Sequence, residues 1–178
     1  LSDFFKSLWT FDLLQLFEQL TVLFRIKEDP FNTFNTWKSF FKSSTVSPKI
    51  FFLFSESSSF QSTVSIFNLS YQKIIKTMSD LFSLGLLVSI KSQLKASEFL
   101  GIEKNNLESL THKPISDIRM SSEIHNLNTI YESLVVQEFN SDYSMGYQKT
   151  FGFRAGTATP FYFYSLSSEF QLPLKINP

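Results

Sequence analysis

Cysteine is missing from the 178 residues, which excludes disulfides, thiolate metal sites and a cysteine nucleophile. Charge is sparse and balanced: 16 Lys and Arg offset 16 Asp and Glu, the formal net charge is zero, and no Lys/Arg-rich run occurs. Binding to a phosphate backbone needs a concentration of cations, so nucleic acid is excluded as a partner. Long apolar runs are lacking too. Lys6, Asp12, Glu18 and Arg25 interrupt the greasiest region, which keeps every run short of the roughly 20 residues of a membrane-spanning helix. That region also carries too few cations for a helix lying in a lipid headgroup layer, which argues against membrane contact. The first residues lack the basic segment of a signal peptide, and location stays open between cytoplasm and cell envelope. Only 5 glycines occur, and three of them, Gly146, Gly152 and Gly156, fall within residues 142–166. In contrast, 22 phenylalanines are present, enough to fill a core and leave apolar surface over, together with serine clusters at 43–47 and 55–59 that read as loops.

Periodicity divides the chain into alternating elements. Residues 3–24 read as a long amphipathic helix, with Leu13, Phe17, Leu20 and Phe24 at helical spacing. Asp29 as N-cap and Pro30 at the first position start a second helix ending at Lys42. Apolar runs at 49–54, 85–90 and 114–120 read as strands, and helices are expected over 68–85, 92–110 and 126–138. Strand-like segments follow at 142–145 and 151–155. Short strands alternating with helices predict an α/β fold with a mainly parallel sheet, either doubly wound or part of a βα barrel. Without repeat or linker, residues 1–178 read as one domain.

The sequence becomes specific at residues 142–166. DYSMGY, GFRAGT and PFYFY, in that order, resemble the C-terminal signature of polysaccharide deacetylases of the NodB-homology type. KEDPFNTF (27–34), IEKNNLESLTHKPI (102–115), NTIYESL (128–134) and PLKINP (173–178) resemble further landmarks of that group in the same order. The resemblance implies a distorted or partial (β/α) barrel with a long N-terminal amphipathic helix, whose first strand would lie upstream of Leu1. It also implies a metal-dependent deacetylase site at the C-terminal ends of the strands, where an Asp and histidines hold zinc and a polysaccharide or acetylated sugar is the partner.

Position by position, that site is depleted. The family's Asp-rich strand motif has no counterpart: TFD at 10–12 falls inside a helical pattern, so Asp12 reads as a solvated helix position. The family's histidine ligand corresponds to Leu87 in GLLVSI (85–90), and leucine cannot coordinate a metal. In the next strand Arg119 stands where the family's arginine orients a catalytic carboxylate, while Ser121 and Ser122 replace a histidine and an aromatic residue. Ser165 stands in place of another acid. The two histidines, His112 and His125, read as loop and cap residues rather than substitute ligands. Asp142 either binds substrate at the active end or caps its strand. Arg154, between Gly152 and Gly156, is a substrate-binding candidate through its guanidinium, with an ion pair to Asp142 or Glu169 as the alternative. Thr157 is a candidate hydroxyl donor. The expectation is a polysaccharide deacetylase-like protein with impaired catalysis and no resident cofactor as the sequence stands, zinc entering only if the family chemistry is retained. The alternative is a non-catalytic carbohydrate-binding or assembly module on the same scaffold.

Overall fold

A computed structural model of the chain describes residues 20–22, 24, 26, 33–42, 45, 47–59, 61–122, 126–147 and 150–178. The chain separates into two compact units, residues 1–46 and 47–178. In the first, helix α1 spans Phe34–Lys42. Trp37 and Phe40 each meet Phe41 edge to face, with centroids 6.0 and 5.1 Å apart. Most of the expected helix over 3–24, including Asp12, lies outside the described residues, as do the proposed cap Asp29 and Pro30.

In the second unit the strands are β1 (Lys49–Phe52), β2 (Ser83–Val88), β3 (Asp117–Met120), β4 (Ser141–Asp142), β5 (Phe161–Ser165) and β6 (Phe170–Ile176). The helices are α2 (Leu69–Leu81), α3 (Ile90–Leu94), α4 (Ala96–Thr111) and α5 (Leu127–Val136). One sheet contains all six strands in the order β1-β2-β3-β4-β6-β5. Every pairing is parallel except β5 with β6. The molecule is thus an α/β protein with a mostly parallel sheet.

The helices begin where the sequence supplies caps. Asn68 accepts from the Tyr71 N–H, Ser89 from Ser92 and Asn126 from Thr129, each satisfying a donor that the first helical turn leaves free. Ile75 and Met78 of α2, Leu100 and Leu107 of α4, and Ile130, Tyr131 and Leu134 of α5 form one buried cluster with Phe52, Leu86, Ile118 and Ile176 of the sheet. These helices therefore share one face of the sheet. A doubly wound fold puts helices on both faces, so among the described residues this unit has a different arrangement.

Three boundaries differ from the sequence reading. The helix expected over 68–85 stops at Leu81, and Gly85 is not its terminator but an interior residue of β2. The expected helix over 92–110 is divided at Lys95, whose extended φ of −135° breaks the helical path. Residues 151–155 form turns instead of a strand, because Gly152 and Gly156 adopt φ of 131° and 70°. The strand lies further on, in the alternating sequence FYFYS after Pro160.

Candidate functional site

Strand register arranges side chains in rows that cross the sheet. On the helix-covered face one row runs Phe52, Leu86, Ile118, Asp142, Ile176 and Phe161. Asp142 is the only ionisable member of that row, and it is fully buried. On the opposite face the adjoining row runs Phe51, Gly85, Asp117, Ser141, Lys175 and Tyr162, and one step nearer the strand C-termini stand Leu87, Arg119 and Tyr143. This face, free of the second unit's helices among the described residues and called helix-free below, therefore carries the polar chemistry.

Gly85 makes that face possible. A Cβ on it would lie 2.4 Å from Phe51 Cε1 and 2.9 Å from the Asp117 carbonyl oxygen, so any larger residue collides with the ring. With no side chain on β2 at this level, residues of β1 reach across to β3 and beyond β4. The Phe51 ring meets the Tyr143 ring at 5.4 Å. The Lys49 ammonium donates to the Asp117 carboxylate and, at 2.9 Å, to the Tyr143 hydroxyl. Burial pulls the Lys49 pKa down, but its bonds to Asp117 and Tyr143 outweigh burial and raise it, so Lys49 stays a cation. Arg119 is exposed on the same face, and its side chain makes no hydrogen bond or ion pair among the described residues.

Beyond the strand C-termini lies a second polar group. Gln93 donates to the Val88 carbonyl at 3.1 Å and to Ser121 Oγ at 3.0 Å, and accepts from Ser122 Oγ at 2.8 Å. Behind it, buried Glu103 accepts from the Ser89 N–H at 3.2 Å and from the Ser89 hydroxyl, fixing the turn that leads from β2 into α3. An open cavity of about 420 Å³ is lined there by Gln93, Lys95, Ser122, Asn126, Thr129 and Ser133 together with aliphatic groups, with no carboxylate among the described lining residues.

The candidates from the sequence do not converge. Asp142 faces the helices, away from Arg119. Its carboxylate accepts from the Tyr131 hydroxyl at 2.7 Å, from the Ser144 N–H at 3.0 Å and from the Ser144 hydroxyl. Ser144 Oγ also accepts from the Met120 N–H at 2.8 Å, so this network ties β3 to the end of β4. Burial raises the Asp142 pKa, and the bonds from Ser144 and Tyr131 offset only part of that rise. Asp142 thus bonds one backbone N–H and two hydroxyls at the end of β4. Arg154 forms no ion pair with Asp142 or Glu169 among the described residues. Its charge does reach Tyr131, where it opposes the upward shift caused by burial and by Asp142. Thr157 Oγ accepts from the Thr159 N–H at 3.0 Å, a local turn. His112 ends α4 in the left-handed conformation, and His125 with Glu123 lies outside the described residues.

The resemblance puts histidine ligands of zinc at the positions of Leu87 and Ser121. Leu87, half-buried beside Arg119, offers no lone pair, and Ser121 and Ser122 are engaged by Gln93. Among the described residues no group of three His, Cys, Asp or Glu side chains is placed to hold a metal. Lys49, Asp117, Gln93 and Glu103 were not legible as a site. Lys49 after Pro48 at the start of an apolar strand was the one available signal. Comparisons with protein-family models, curated sequences and solved structures find no match.

Proposed function

We propose that this chain is a polysaccharide deacetylase-like domain that keeps the family scaffold without its metal-dependent hydrolysis and acts by binding a glycan. The observation that carries the reading is Leu87 beside Arg119 on the helix-free face, with Ser121 just beyond: aliphatic and hydroxyl groups stand at the positions the family gives to histidine. Consecutive strands with all their packed helices on one side support an arc of a βα barrel, whose interior would be the face bearing Lys49, Asp117, Arg119 and Tyr143. In the family, the arginine acts by orienting a carboxylate. Here its guanidinium has no such partner among the described residues and is open to sugar or carboxylate oxygens. The cavity, whose aliphatic lining carries hydroxyl and amide groups and Lys95, offers further polar contacts for a sugar.

The test uses the purified full chain. Elemental analysis is expected to find no stoichiometric zinc, and acetylated chito-oligosaccharides and acetylated xylan should release no acetate. A glycan array should show binding that weakens on Arg119→Ala. Bound zinc accompanied by acetate release overturns the loss of hydrolysis, and an array without hits overturns the binding role.

A further inference from the structure

Strand β5 closes one edge of the sheet. It pairs with β6 on one side only, and none of its backbone groups has a backbone partner on the other side among the described residues. Alternate residues of such a strand direct an N–H and a C=O outward, a template for a further strand. Natural edges are usually blunted by charge, proline or a bulge. The opposite edge strand, β1, carries a charge at Lys49, while a proline precedes each edge strand, Pro48 before β1 and Pro160 before β5. In contrast, β5 reads Phe-Tyr-Phe-Tyr-Ser, with no charge and no proline between its ends. Its pairing shifts between Tyr162 and Tyr164, but the extra residues belong to β6 and β5 itself is not bulged. Tyr162 and Tyr164 are each 53% exposed on the helix-free side, while Phe163 meets the Tyr131 ring at 4.7 Å on the other. The hairpin is held from beneath, because Glu132 of α5 accepts from Ser165 Oγ at 2.8 Å and from the Ser167 hydroxyl.

We propose that the edge of β5 is an interface for a second copy of this chain, the two β5 strands pairing antiparallel about a two-fold axis at Phe163. The register that pairs all five residues sets Phe163 against its own copy, Tyr162 against the copy's Tyr164, and Phe161 against the copy's Ser165. Both tyrosine pairs fall on the helix-free face, where directly opposed aromatic side chains attract. A strand without charge places no like charges opposite each other when it pairs with itself, and a two-fold contact of this kind is closed, so it stops at a dimer. This inference is independent of the glycan-binding reading, since it rests on the edge of the sheet and not on Arg119 or the cavity.

Sedimentation velocity of the full chain over a concentration series is expected to show a monomer–dimer equilibrium. Substituting Tyr162→Lys together with Tyr164→Lys puts lysine opposite lysine twice, and should weaken the dimer by about tenfold or more. Substituting Tyr162→Lys with Tyr164→Glu puts lysine opposite glutamate in this register alone, and should restore association. Circular dichroism checks that both variants are folded; the half-exposed tyrosines leave the core unchanged. A wild-type chain that is monomeric at every concentration overturns the proposal. So does a Lys/Glu variant as monomeric as the Lys/Lys variant.

Discussion

Asp142 occupies the middle of a row in which every neighbour across the sheet is apolar, and its position is workable only because three donors converge on it. A buried carboxylate must either be hydrogen-bonded or give up its charge. Here both pressures act: burial raises the pKa, and Ser144 and Tyr131 hold it back in part. With the folded pKa above the unfolded one, the folded state favours the protonated form. Its contribution to stability is complete below the unfolded pKa and is lost as pH rises through the folded pKa. Asp142→Asn removes that titration. We expect urea unfolding between about pH 4 and pH 8 to show wild type losing stability relative to the variant as pH rises. A wild-type-to-variant difference independent of pH would show that the carboxyl titrates at its ordinary value.

At the scale of single elements, the caps separate two energetic situations that look alike in sequence. Asn68 caps α2 at the surface with one bond to Tyr71 N at 3.1 Å, and Asn68→Ala should cost about 1 kcal/mol. Ser89 caps α3 through Ser92 N at 3.1 Å, and its hydroxyl also donates to Glu103, which is only 5% exposed. Ser89→Ala removes the cap and one donor from a buried carboxylate, so its cost should reach about 2–4 kcal/mol. Chemical denaturation of both variants checks the ranking. Equal losses would mean that the Ser89–Glu103 bond adds nothing. The sequence reading placed Asn68 inside a helix and Ser89 inside the strand over 85–90, so neither cap was recognised. The Ser89–Glu103 pair, fourteen residues apart, was not legible either, because only the packing of α4 behind β2 brings the two together.

For the whole molecule, every buried apolar residue described lies between Phe52 and Ile176, within the unit of residues 47–178. A unit that holds its own core satisfies the main requirement for independent folding. Residues 47–178 expressed alone should give a dispersed amide spectrum and a cooperative thermal transition. A collapsed spectrum without a transition would show that residues 1–46 are needed for the fold. This outcome also bears on the single domain expected over 1–178.

What the sequence determined by itself was local. Apolar runs at 49–54, 85–90 and 114–120 marked strands, the helical spacing of Leu127, Ile130, Tyr131 and Leu134 marked α5, and their alternation marked an α/β fold with a mainly parallel sheet. These follow from periodicity and capping, which act over a few residues. Leu87 could likewise be read as unable to bind a metal from its chemistry alone. Tertiary structure decided which face each side chain took, because strand register is set by pairing partners far away in the chain. It turned Asp142 into the core and Arg119 out of it, though both were candidates for one site. It also made Gly85 a passage for Phe51 and Lys49 across the sheet, where the sequence suggested a helix end and the first residue of a strand.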